Sequence, residues 1–374
     1  MIIKRIINFF KRINYRDLGI FYALIVLWLL LYVLSLLVPS LHAFNDISTY
    51  KSILKMGSFW GICSVGMTLC IASKHFDQSI GAMVAVLGCT FAVLIRTFSD
   101  TPPQTEVGIV TRPDGIEYMG ISWYGVLGAI AIILALSVMC GLLNGALVAK
   151  LHIPAFIATL GTLYVFRGSA YLVSDSQPVI INQVVTVDQY KFFDFLGTGS
   201  VLGISFSFWV MVICAIIGQL ILRRMKLGRD TLAIGNSVEA SRISGINIDL
   251  TKILVFTLLG LFVGIAAILN TAYLASSNPG MVQGFEFRVI TVVVLGGTAL
   301  AGGKGSIFNS ISATIFLATI TVGMTLAGVP PYPQGIVQGL ILIFAFSINQ
   351  IRAWIEDARV KANARREARL REVT

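Results

Sequence analysis

"VLGAIAIILALSVMCGLLNGALVA", residues 126–149, runs for 24 residues without a single charged side chain. As a helix it is long enough to cross the ~30 Å hydrocarbon core of a bilayer. A strand of a membrane barrel would alternate polar and apolar residues, and this run does not. In lipid each backbone N–H and C=O then has to find its partner inside the segment, so the run is helical. Comparable runs lie at Leu18 to Val38, Phe206 to Leu222, Ile253 to Leu274 and Ile307 to Ala327. Only 12% of the 374 residues are charged and the mean hydropathy is +0.85, which excludes an ordinary water-soluble domain. The pattern predicts an all-α, polytopic transmembrane helical bundle.

Spans placed near 20–40, 53–73, 79–96, 121–149, 154–175, 204–222, 252–274, 288–301, 306–327 and 335–351 give ten crossings, so both ends share one side. Of the 28 Lys and Arg residues, 21 fall in segments on that side. Basic residues concentrate in cytoplasmic loops, so both termini and residues 223–252 are expected in the cytoplasm of a bacterial inner membrane. The organisation is a basic cytoplasmic N-terminus (1–19), a transmembrane domain (20–351) with a cytoplasmic loop at 223–251, and a basic C-terminal tail (352–374). The net charge of +10 then calls for no nucleic acid. The tail has the composition of a helix that lies on anionic membrane lipid or a cytoplasmic partner, or stays solvated. The first run is too long for a signal-peptide core and lacks a clear cleavage site, so it stays attached. On the other side, 97–120 and 176–203 are rich in Pro, Asp, Gly and Thr and form the face for something arriving from outside. The eighth span, "VVVLGGTALAGGKG", is short and broken by glycine, as interrupted helices lined by protein or water are.

Motifs of chemistry are missing. "GGTALAGGKGS", residues 296–306, imitates a phosphate loop, but Thr298 stands where the first Gly belongs and Gly305 where the hydroxyl belongs. Its small residues suit close helix packing, with Lys304 at the cytoplasmic end of a tight helical hairpin. The five cysteines, all in apolar segments, have neither metal-ligand spacing nor a paired framework, and the three histidines are far apart. No catalytic residue, metal or cofactor is expected, which argues against an enzyme. A gradient-driven carrier usually keeps an ionisable group near the bilayer midplane. Here Asp77 and His75 fall at a cytoplasmic turn, Glu286 and Arg288 at an outer end, and Arg167 in the outer part of a span, where it snorkels or pairs.

The most polar loop, "GRDTLAIGNSVEASRISGIN" at 228–247, reads as a short capped helix. Ser237 caps its start, Glu239 favours the positive end of the dipole, and Gly245 closes it after about two turns. So short a helix cannot persist alone in water. It has to be docked, and Val238, Ala240 and Ile243 offer a surface for a partner as well as for its own bundle.

From about residue 50 to 350 the chain resembles the permease subunits of ABC-type sugar importers of the ribose, galactose and xylose class, the inner-membrane components of binding-protein-dependent transport systems. The resemblance rests on Gly228, Arg229, Ala233, Ile234, Gly235, Glu239, Ala240, Ser244, Gly245 and Ile246 in the cytoplasmic signature. It rests also on "FDQSIG" (76–81), Asn144 with Gly145, "PAFIATLG" (154–161) and the glycine-rich element from Gly296 to Gly305. Ser237 and Val238 replace the family's usual Asn and Pro, and Gln78 its usual Leu. Arg288, Thr291, Val292, Val322 and Gly323 also depart from the common pattern, which leaves the cargo open and admits pairing with a different permease.

The resemblance implies a fold like that of type II ABC importers, working as a homodimer or heterodimer with a second permease subunit. It implies a separate ABC ATPase subunit on the helix formed by Ser237, Val238, Glu239, Ala240, Ser241, Arg242, Ile243, Ser244 and Gly245. It also implies a periplasmic sugar-binding protein on the outer face. The candidate substrate-pathway residues are Asp77, Ser79, Asn144, Phe156, Thr159, Thr162 and Thr298. The competing readings are an ABC permease for branched-chain amino acids, a secondary transporter that works alone, and a structural assembly protein.

Overall fold

The computed structural model describes residues 19–37, 39–100, 123–181, 190–347 and 351. The tail at 352–374 and most of the outer segment at 97–120 lie outside them. Within the described residues, twelve α-helices follow in chain order: α1 (Gly19–Leu37), α2 (Ile47–Ala72), α3 (Ile80–Asp100), α4 (Trp123–Ala149), α5 (Ala155–Val173), α6 (Tyr190–Thr198), α7 (Phe206–Arg224), α8 (Lys226–Asn236), α9 (Val238–Ile243), α10 (Ile248–Leu274), α11 (Phe285–Leu295) and α12 (Ile307–Leu326). A further helix, α13, covers 331–347. The strands are two-residue pieces: β1 (Val179–Ile180) pairs with β4 (Ser276–Ser277), and β2 (Ser200–Val201) with β3 (Ile204–Ser205).

Among the described residues, eight helices, α1 to α5, α7, α10 and α12, are long and apolar enough to cross a membrane. The eighth of the ten expected segments, 288–301, is helical only as far as Leu295, and its helix, α11, has 11 residues. It stops where the chain reaches Gly296 and Gly297, and Gly297 takes φ +84, a conformation that side chains resist. Helix α2 starts at Ile47, earlier than its apolar run suggests, because Asp46 accepts hydrogen bonds from the Ser48 N–H and hydroxyl and caps it there.

The bundle is organised around α2 and α10. Hydrophobicity does not drive helices together inside lipid, so close packing of small residues has to do so. Ser137, Gly141 and Gly145 of α4 meet Gly260 and Gly264 of α10 along one seam. A Cβ at Gly145 would sit 2.8 Å from the Ile253 Cα, one at Gly141 would run into the Phe256 carbonyl, and one at Gly260 into that of Ser137. On the other flank, Gly66 of α2 brings the backbones of α2 and α10 together, its absent Cβ falling 2.7 Å from the Leu259 Cα. Helix α1 is peripheral: the Trp28 Nε1–H donates to Thr319 Oγ1 at 2.8 Å, and Phe21 packs on Phe308.

Candidate functional site

Between α2 and α3 the chain unwinds over residues 73–79 and turns back. Asp77 is fully buried at this turn. Its Oδ1 accepts from the Ser79 N–H at 2.7 Å and the Ser79 hydroxyl at 2.6 Å, and its Oδ2 accepts from Asn144 Nδ2 at 2.9 Å. Asn144 Nδ2 also reaches Ser79 Oγ, tying α4 to the turn. From α5, Thr159 Oγ1 accepts the Gln78 N–H at 3.1 Å and donates to the Ala155 carbonyl. Thr162 lies one turn further on, its hydroxyl on the Thr159 carbonyl.

Four of the candidate pathway residues, Asp77, Ser79, Asn144 and Thr159, therefore meet in one polar knot that joins α3, α4 and α5, with Thr162 at its edge. Burial pushes the Asp77 carboxyl above its usual range, against the pull of its donors on Ser79 and Asn144. Asn144 Oδ1 is buried without a partner, an acceptor left open in an otherwise saturated cluster.

The other two candidates lie elsewhere. Phe156 points out of α5 and is 54% exposed. Thr298 is buried in the glycine-rich loop beside Gly305, with its hydroxyl unpartnered. Arg167, expected to snorkel or pair, donates to the carbonyls of Pro279 and Met281 and faces Glu286.

His75, in the same turn, lies edge-on to Phe256 with Nδ1 3.1 Å from Ser73 Oγ. Burial, reinforced by Lys252, lowers its pKa to about 4 from 6.5. A depressed folded-state value contributes stability that is complete above the unfolded pKa, near 6.5, and is lost as pH falls through about 4. The difference corresponds to about 3 kcal/mol. Thermal unfolding of the detergent-purified chain should therefore show a steep loss of stability between those limits, and His75→Gln should flatten it; an unchanged pH profile in that variant would refute the assignment.

At this end of the bundle the polar loop folds into two helices. The sequence suggested only α9, and α9 has the expected caps: Ser237 Oγ accepts from the Ala240 N–H at 3.2 Å, and Glu239 and Arg242 match the dipole at either end. It spans six residues. Its close is a Schellman turn, with the Gly245 N–H on Arg242 O, the Ile246 N–H on Ser241 O, and Gly245 at φ +78. Ser241 turns inward and is buried. Val238, Glu239, Ala240, Arg242 and Ile243 face out, Ile243 being 80% exposed.

Helix α8 carries this peg. It contains Gly228 and Gly235 and β-branched Thr231 and Ile234, so local propensity does not mark it as a helix. Packing makes it one. Gly235 lies against the Ala72 carbonyl at the end of α2 and the Gly303 N–H, where no Cβ fits, and the Gly303 N–H donates to that same carbonyl at 2.8 Å. The loop that resembles a phosphate cradle is thus the seat of α8. A Lys150–Asp249 ion pair at 3.8 Å links the α4–α5 turn to the start of α10; both side chains are substantially exposed, so it contributes little.

Among the described residues no cluster of three or more His, Cys, Asp or Glu could hold a metal ion. The arrangement suits mechanical work rather than bond chemistry: a rigid apolar body, a buried polar joint, and an exposed peg seated on the central helix.

The profile of one protein family, described as "branched-chain amino acid transport system / permease component", matches residues 49–346. The chain is 33% identical to the ribose import permease protein RbsC of Escherichia coli (strain K12) over 327 residues, 87% of this chain and 92% of that one. It is 34% identical to the L-arabinose transport system permease protein AraH of the same strain over 325 residues, 87% of this chain and 88% of the other. The Bacillus subtilis ribose import permease is 29% identical over 324 residues, covering 87% and 90%. No solved structure matches the chain significantly.

Proposed function

We propose, since the chain belongs to the branched-chain amino acid transport system / permease component family, that it is the membrane-spanning subunit of an ATP-driven importer. Its cargo is a monosaccharide handed over by a binding protein on the outer side. The observation that carries this reading is the α8–α9 lever. A six-residue helix displays an 80% exposed isoleucine, and its supporting helix lies backbone to backbone on the end of α2. An ATPase subunit that grips α9 moves α8, and through Gly235 it moves α2 and the turn that holds Asp77. Work is done only because the nucleotide states of that ATPase favour different arrangements of the bundle.

The family's description mentions branched-chain amino acids, and the relatives at 33% and 34% identity are named for ribose and arabinose. We favour sugar because those relatives align along nearly the whole chain. The bias of basic residues supports a cytoplasmic position for α9 and both termini. The active unit holds two permease subunits, with a homodimer the simpler arrangement. The proposal is tested by reconstituting the chain with an ATPase subunit and a binding protein and following labelled ribose, arabinose and leucine. Uptake should need ATP and both partners, and should favour a sugar. Ribose uptake by the chain alone, driven by an ion gradient, would refute it.

A further inference from the structure

Residues 275–284 join the end of α10 to the start of α11. They run beside the first turns of α3. A Cβ added at Gly88 would lie 2.9 Å from Ser277 Oγ, and one at Gly81 would lie 2.8 Å from the Val282 carbonyl oxygen and against the Glu286 carboxylate. Gly81 belongs to the turn of α3 that follows Asp77 and Ser79, so the segment reaches the polar knot. We propose that residues 278–284 are a strained latch, held by Arg167 in the arrangement described and released at another step of the transport cycle. The latch rests on the importer reading above.

The backbone carries the first part of the argument. Val282 takes φ +52. A β-branched side chain resists that left-handed region, and such strain persists only where neighbouring contacts over-determine it. Gly284, two residues on, takes φ +74 without that penalty. A loop built only to stay in place would gain from glycine at 282 as well. The holding contacts come from α5, where Arg167 Nη1 donates to the Pro279 carbonyl at 2.6 Å and to the Met281 carbonyl at 2.9 Å. Met281 is the residue before Val282, so these bonds fix the peptide that enters the strained position. The Gly280 N–H, donating to Asn278 Oδ1 at 2.8 Å, closes the turn between the two carbonyls.

Arg167 also has a second partner close by. Glu286 is near enough to act on it electrostatically, yet among the described residues the two form no ion pair. The guanidinium thus spends one nitrogen on two neutral carbonyls while a buried carboxylate stands beside it. Turning to Glu286 would exchange those acceptors for a charged one and free Val282 to relax to negative φ. Each arrangement gives up what the other gains, which is the condition for a two-state element rather than a fixed one. Force that reaches the Asp77 turn enters the latch through Gly81.

Native Cys89 on α3 supplies the test, because its Sγ lies 3.4 Å from Ser277 Oγ, at the head of the latch. In the latched arrangement Ser277→Cys puts two thiols side by side, and copper phenanthroline in air should join them. The assembled complex is oxidised in proteoliposomes, with wild type treated alike to account for the remaining cysteines. Once oxidised, Ser277→Cys should lose ATP-driven uptake by roughly ten-fold or more and regain it with dithiothreitol. Adding Arg167→Gln should slow disulfide formation by roughly five-fold or more, since the loop loses its charged donor. Adding Val282→Gly to that pair should restore most of the rate, because glycine removes the strain that drives release. An arginine that only supported the fold would show no such rescue. The latch is overturned if Ser277→Cys forms no disulfide, if uptake survives oxidation, or if Val282→Gly leaves the slowing unrelieved. Wild-type uptake that needs neither ATP nor a partner overturns the importer reading instead, and the oxidation rates still decide the latch.

Discussion

Replacing Gly235 by alanine, one added methyl group, is expected to abolish ATP-driven uptake and to lower the yield of folded protein. The new Cβ has nowhere to go. It meets the Ala72 carbonyl oxygen and the Gly303 nitrogen, backbone atoms with no rotamer to yield, and it separates the pair that forms the 2.8 Å hydrogen bond between them. Overpacking typically costs 1–3 kcal/mol, and opening a buried backbone hydrogen bond adds roughly 1–3 kcal/mol. Gly161 of α5 is the internal control, because a Cβ there meets nothing within 4 Å. Gly161→Ala should leave the thermal midpoint unchanged or slightly raised, as alanine suits a helix better than glycine. Equal behaviour of the two variants in a thermal-shift and uptake comparison would rule out the seat assigned to α8.

Much of this architecture is legible in the residues themselves, and the exceptions have physical causes. The eight long helices follow from their apolar runs, because such a run in lipid has only one way to satisfy its backbone. The α9 caps can be read because Ser237 and Gly245 act locally, through φ and one or two hydrogen bonds. Helix α8 cannot be read that way: Gly235 looks like a helix breaker until Ala72 and Gly303, far away in sequence, are placed beside it. The polar knot divides along the same line. Asp77 and Ser79 bond within two residues, whereas Asn144 and Thr159 join them from other helices. Phe156 and Thr298 stand apart from the knot because helix phase turns Phe156 outwards and loop geometry draws Thr298 towards α2. The orphaned Asn144 Oδ1 has no signature in sequence at all.

Ile243→Asp in α9 should stop ATP-driven uptake, by roughly 30-fold or more, while the permease still accumulates in the membrane. The side chain is 80% exposed in the isolated chain, so a carboxylate there costs the fold almost nothing. In the grip of a partner the same position is desolvated, and an unpaired charge is then strongly unfavourable. Glu239→Arg and Ala240→Asp, on the same exposed surface, should behave alike; Glu239→Arg also opposes the helix dipole at its first turn. A substitution that merely unfolded α9 would lower accumulation, whereas loss of grip leaves accumulation intact and abolishes co-purification with the ATPase subunit. Full uptake by Ile243→Asp would mean that no motor holds this helix, and force would have to enter the bundle somewhere else.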